Sequence, residues 1–256
     1  MAKAPEGICH LCGKYGPLSF EHVPPKSAFN DRPVLVSSID NVWDVDFGDA
    51  DAKLQGKIQQ RGAGAYTLCC WCNSFTGRTY APGFTAWCQQ GMEIMYRASG
   101  RPTLIYMNYV LPLSVLKQIC TMFFSVNTPR FREAHPWLEY FVLNRDSQAL
   151  PEEYRVYAYF KGPGYPRSSG VAAWMRMDSG QTLALSEITF PPYGYVLCFD
   201  YVKPHPDLYD ITFFRRFHYR EFAVVNLRLS VLPTHLPMPG DYRSREQIGT
   251  GSGLSF

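Results

Sequence analysis

Three short stretches decide how this chain is read: ICHLCG at residues 8–13, LSFEHVPPK at residues 18–26 and TLCCWCNSFTGR at residues 67–78. The first and third each hold a C-x2-C pair, Cys9 with Cys12 and Cys69 with Cys72. A turn of that length lets two thiolates reach one ion, and two such turns supply the four sulfurs of a closed tetrahedral zinc site. The middle stretch holds an acid next to a histidine, Glu21-His22, at the end of an apolar run that Pro24-Pro25 stops. Asn73 follows the last cysteine of the second knuckle directly. Of the remaining cysteines, Cys88, Cys120 and Cys198 stand in apolar surroundings and read as small core residues, and Cys70 is spare.

Composition narrows the class. The 256 residues are 46% hydrophobic and 18% charged, with a net charge of +3. That balance excludes a disordered chain and argues against binding nucleic acid by bulk charge alone. From residue 111 onward there are 15 basic and 13 acidic residues, so this half is no evident DNA clamp. No run of about 18 apolar residues is present, which excludes a membrane-spanning helix. The opening MAKAPEGICHLCGKYG lacks the apolar stretch of a secretory signal. Reduced cysteines and a cytoplasmic location are therefore expected.

The chain reads as α+β in two parts. Residues 9–30 are expected to form a knuckle and a short β-hairpin, and residues 31–66 an acidic loop with Asp40, Asp44, Asp46, Asp49 and Asp51, closing on RGAGAY. A helix is expected after Cys72 and another from Pro82, with Phe84, Trp87, Cys88, Met92, Met95 and Tyr96 near helical spacing. Asn108 to Pro112 marks a boundary, giving an N-terminal domain of residues 1–108 and an accessory domain of residues 109–248. Helices are expected over PLSVLKQICTMFFSVN and over Pro136 to Leu143. Beyond Tyr154 the pattern turns to β, in the segments YRVYAYF, VAAWMRMD, TLALSEITF, YGYVLCFDYV, DITFFRRF and FAVVNLRLSVL. GPGYPRSSG at residues 162–170 reads as a long hairpin loop, and residues 249–256 as a disordered tail.

The order of the three opening stretches resembles the HNH, or ββα-metal, nuclease family in its zinc-ribbon-supported form. That family's signature runs C-x2-C, then [DE]-H-[IV]-x-P, then L-C-x2-C-[NH]. This chain matches it at Cys9, Cys12, Glu21, His22, Val23, Pro25, Leu68, Cys69, Cys72 and Asn73, within residues 8–80. The resemblance implies an N-terminal zinc-stabilised ββα-metal module, which the residue pattern continues with two helices and a β-rich C-terminal domain. It implies a metal-dependent endonuclease that hydrolyses phosphodiester bonds, DNA more than RNA, in the setting of restriction or phage defence. His22 would be the general base. Glu21 and Asn73 would hold one catalytic Mg2+ or Mn2+, Arg78 would reach a phosphate, and the four cysteines would hold structural zinc. The family's middle Asn, which braces the loop carrying the His, is missing before the second knuckle; Asn41 is the nearest substitute.

Each of these residues also has a plainer reading. His22 fits a structural histidine beside a zinc ribbon, Glu21 a surface carboxylate, Asn73 a helix cap and Arg78 a solvated helix end. His10, inside the first knuckle, is expected to face solvent. Arg215, Arg216 and Arg220 fit either a backbone contact to nucleic acid or a strand with one charged face. The competing function is a zinc-binding module that recognises nucleic acid or a protein without cutting. The C-terminal part would take an activating ligand or protein partner, and a homodimer is compatible with the pattern.

Overall fold

The computed structural model describes residues 4–38, 41, 55–98, 101–175, 177, 180, 182–199 and 203–251. The acidic residues expected at 40, 44, 46, 49 and 51 and the last five residues lie outside them. The first knuckle sits inside a β-hairpin rather than before one: β1 (Glu6–Ile8) and β2 (Tyr15–His22) pair on either side of Cys9 and Cys12. The second partner of β2 comes from far along the chain. β5 (Gly64–Cys69) pairs with it antiparallel, Leu18 opposite Cys69 and His22 opposite Gly64. Between them β3 (Val34–Val36) and β4 (Lys57–Gln59) form a separate two-stranded ribbon. β5 runs directly into α1 (Cys70–Thr79), whose N-cap is Cys69.

The next four helices carry proline at their first or second residue, where it loses nothing because its missing N–H has no helical partner there. These are α2 (Ala81–Arg97), α3 (Pro112–Val126), α4 (Pro129–Ala134) and α5 (Pro136–Leu143). On α2, Phe84, Trp87 and Cys88 are buried as their spacing predicts, but Tyr96 is 89% exposed. The apolar stripe expected on one side of α3 understates the burial. Every residue from Pro112 to Ser125 is buried, Lys117 and Gln118 included. A helix covered on all sides is a core element, and α3 packs against α2, α5 and the large sheet.

That sheet has the order β6-β12-β7-β10-β9-β8. Its strands are β6 (Thr103–Val110), β7 (Arg155–Gly164), β8 (Arg167–Met175), β9 (Thr182–Phe190), β10 (Tyr193–Cys198) and β12 (Ala223–Thr234), with β11 (Tyr209–Asp210) pairing beside β7. β12 serves two partners in turn: its first eight residues pair antiparallel with β6, and Val231 onward runs parallel to β7. The boundary drawn at residue 108 thus falls inside a strand of this sheet. One buried cluster runs from Cys9 and Leu68 through α2 and α3 to Leu229.

Three expectations change. GPGYPRSSG is not a hairpin loop: Gly162 and Gly164 end β7, Arg167 begins β8, and these two strands do not pair with each other. A Cβ on Gly164 would lie 2.3 Å from the carbonyl oxygen of Thr234, so this glycine admits a neighbouring backbone. DITFFRRF holds a 3-10 turn, Thr212–Arg216, because Asp210 Oδ1 accepts from Thr212 N (2.7 Å) and rolls the chain over. Residues 245–248, for which no element is expected, form with Gly249 a short helix, α6 (Arg245–Gly249), capped by Ser244 and Gln247.

Candidate functional site

The four knuckle sulfurs lie within 4.8 Å of one another, with Cys12 Sγ and Cys69 Sγ 3.9 Å apart. Tetrahedral zinc with Zn–S of about 2.3 Å needs sulfurs about 3.8 Å apart. Two backbone amides point at the sulfurs, Cys69 N at Cys9 Sγ (3.3 Å) and Cys72 N at Cys69 Sγ (3.5 Å), as suits thiolate charge. Without a cation the group cannot ionise fully. A hydrogen bond from Cys72 pulls the Cys9 thiol down to about 4, and its partnership with Cys9 pushes Cys72 far up. A divalent ion removes that conflict. The set can therefore hold a structural metal such as zinc. Among the described residues it is the one group of three or more Cys, His, Asp or Glu with metal-holding spacing. Cys70 is exposed and stands outside it, whereas Cys88, Cys120 and Cys198 are buried.

His22 ends β2 at the wall of a cleft of about 680 Å3. Its Nε2 lies 3.0 Å from the carbonyl oxygen of Arg61. A carbonyl only accepts, so Nε2 is the donor and, in the neutral imidazole, Nδ1 is the nitrogen with the lone pair. Phe20 meets the imidazole edge-on, with ring centroids 5.0 Å apart. Lys57, Arg61 and Tyr66 also line this cleft. Sequence reasoning passes over these cations because the insertion reads as acidic; the signal is the KIQQRGAG run, in which Lys57 opens β4 and Arg61 follows it just ahead of the glycines.

Glu21 is 5% exposed, and burial pushes its carboxyl up to about 8. No ion pair to it occurs among the described residues, so it is a buried acid lacking a counter-charge. Asn73, in the first turn of α1, donates from Nδ2 to the carbonyl oxygen of Phe20 (3.1 Å) and to Ser19 Oγ (3.1 Å). This anchors α1 to β2 one residue before Glu21, and it leaves Asn73 Oδ1 as an unspent oxygen donor. The helix-cap reading of Asn73 gives way, because Cys69 holds that position. Arg78 does not line the His22 cleft; it is exposed on α1, where its Nε donates to Ser74 O (3.1 Å). His10 is half-buried, with Nδ1 enclosed. Arg215 is tied to the carbonyl of Leu150 and to Glu152 (3.7 Å).

The brace of the histidine loop comes from Asn30. This side chain is 0% exposed. Its Nδ2 donates to the carbonyl oxygens of Pro24 (2.7 Å) and Ala63 (2.7 Å), and its Oδ1 accepts from Ala63 N (2.6 Å). Val23 N donates to Ala63 O as well (3.0 Å). Asn41 is half-buried and, among the described residues, makes no hydrogen bond to this loop. Two glycines make the approach feasible. Gly62 has φ +98°, and its Cβ would fall 2.1 Å from Asn30 O; at Gly64 a Cβ would fall 2.1 Å from Glu21 O. Comparison with family models, curated proteins and solved structures gives no match to this chain.

Proposed function

We propose that residues 8–80 form a metal-dependent nuclease centre of the HNH kind that hydrolyses phosphodiester bonds in nucleic acid, DNA in preference to RNA. The observation that carries this reading is the contact of His22 Nε2 with Arg61 O at the wall of the cleft, which leaves Nδ1 of the neutral imidazole as the basic nitrogen. This reading assigns the hard-oxygen ligation of one Mg2+ or Mn2+ to Glu21, an acid without a counter-charge, and to Asn73 Oδ1. When bound, such an ion neutralises phosphate charge and stabilises the leaving oxygen. His22 Nδ1 takes the proton of the attacking water as its oxygen bonds to phosphorus. The P–O3′ bond breaks, and the 3′ oxygen takes a proton from solvent. Lys57 and Arg61 hold the flanking phosphates, which suits a chain of net charge only +3. The zinc-holding knuckles keep β2, β5 and α1 in register without touching substrate.

The test is incubation of the purified chain with plasmid DNA and with single-stranded RNA, in Mg2+, Mn2+ or EDTA, beside His22→Ala. Cleavage that needs the divalent ion and disappears in His22→Ala supports the reading. Cleavage that survives His22→Ala overturns it. Binding without cleavage under every metal condition moves the chain to the alternative, a recognition module that does not cut.

A further inference from the structure

A second cavity, of about 490 Å3, lies where the histidine loop meets the large sheet. Val23 and Ala63 line it on one side, one residue after His22 and at the Asn30 brace. Ile188, Thr189 and Phe190 of β9 line it from the sheet, and β3 closes a third side through Val34. The volume falls within the range of about 300–1,000 Å3 that small-molecule sites occupy, and the lining is mainly apolar, as in such sites.

The charge pattern narrows what fits. Arg167 is the lining residue with a permanent charge, and it is already spent. Its Nε donates to Glu187 Oε2 (3.0 Å), one terminal nitrogen to Leu236 O (2.6 Å) and the other to Asp241 O (3.0 Å). Glu187, fully buried, also accepts from Tyr159 (2.6 Å), Tyr242 (2.9 Å) and Gly240 N (3.0 Å). The pair forms a neutral, immobile floor, so a charged ligand would lose its hydration without gaining a counter-charge.

We propose that this cavity binds an uncharged, mainly apolar small molecule, and that its occupancy reaches the histidine loop through Val23 and Ala63. The second half rests on the role given to His22; the binding itself does not.

The probes are 2-naphthol and naphthalene-2-sulfonate, the same ring system without and with a charge, titrated calorimetrically onto the full chain at neutral pH. The naphthol is expected to saturate at one site and the sulfonate to bind at least about tenfold more weakly. Val34→Trp and Leu236→Trp fill the space from different walls, and each should weaken the naphthol by about tenfold or more with the circular dichroism spectrum unchanged. Amide exchange at Val23 and Ala63 should slow when the naphthol is bound. Non-saturable binding, equal affinity for the sulfonate, or indifference to the tryptophans overturns the site. Saturable binding with unchanged exchange at Val23 and Ala63 overturns the connection to the loop. Should one tryptophan variant fail to fold, the other decides. None of these readings uses cleavage, so they stand or fall apart from the nuclease assay.

Discussion

His22 Nε2 and the carbonyl oxygen of Arg61 lie 3.0 Å apart, although 39 residues separate them in the chain. This contact joins the end of β2 to the chain that returns towards β5, and it settles which imidazole nitrogen is basic. Nitrogen-15 spectra of the metal-loaded protein should show Nε2 protonated and Nδ1 bare in neutral His22. His22→Ala should reduce cleavage by about 10²- to 10⁴-fold, the usual share of a general base, with nucleic-acid affinity retained. A drop in affinity equal to the drop in rate would mean that His22 binds substrate instead.

Asn30→Ala should cost about 2–4 kcal/mol, because it strips partners from Ala63 N and from the carbonyl of Pro24 inside a buried loop. Asn30→Asp should do no better, since a carboxylate would face the carbonyl oxygens of Pro24 and Ala63. Gly64→Ala should be at least as harmful, because the atom it meets is the Glu21 carbonyl in a paired strand. Urea midpoints report the stability. A larger loss in kcat than in KM would separate mispositioning of His22 from lost binding.

Cys69→Ser and Cys72→Ser should release the structural metal and unfold residues 8–80, whereas Cys70→Ser should leave metal content and Tm unchanged. Metal analysis of the purified chain should give one ion bound by the knuckles. Chelation of the native protein should lower Tm in step with metal loss. A metal content insensitive to Cys69→Ser would remove the knuckles from the account.

Lys117 gives stability a pH dependence of predictable sign. It is 0% exposed in α3, and burial lowers its pKa from 10.5 to about 7. The unfolded chain therefore binds a proton below about pH 10.5 that the folded chain takes up only below about 7. Between those limits the unfolded state holds more protons, so stability rises with pH, by an amount on the order of a few kcal/mol. Below pH 7 this contribution is gone. Lys117→Met should flatten the rise. It should also cost about 1–3 kcal/mol at high pH, because the carbonyls of Phe141 and Asn144, which Nζ reaches at 2.6 Å and 2.5 Å, lose their donor. Chemical denaturation from pH 6 to 10 measures both effects.

Arg167→Ala should destabilise the sheet by about 3–5 kcal/mol, since it strands the Glu187 carboxylate at zero exposure. Exchanging both residues for apolar side chains of similar size should recover much of that loss. A double-mutant cycle from thermal unfolding gives the comparison.

What could be read from the residues depended on the range of the forces involved. Knuckle spacing, the Glu21-His22 pair and Asn73 are local signals, and the four cysteines do come together. β9 matches TLALSEITF and α5 matches Pro136 to Leu143, because alternation and helical spacing also act over a few residues. Asn30 escaped notice because its partner, Ala63, comes 33 residues later, beyond an insertion of arbitrary length. GPGYPRSSG reads as a hairpin loop, whereas its Gly162 and Gly164 are placed for the close passage of β12. Lys117 gave no sign of burial, since its partners are backbone carbonyls that carry no residue identity.

The β3–β4 ribbon is closed twice at its base. Strand pairing joins Val36 to Lys57, and Ser37 Oγ donates to Gln55 O at 2.6 Å. Further in, Asn30 and Ala63 tie the same two chain directions together. A segment suspended from such a double clasp can change length without shifting the histidine, because doubling a loop costs only about 0.6 kcal/mol of closure entropy. The placement of Glu21, His22 and Asn73 is thus insulated from the length of chain between Ser37 and Gln55.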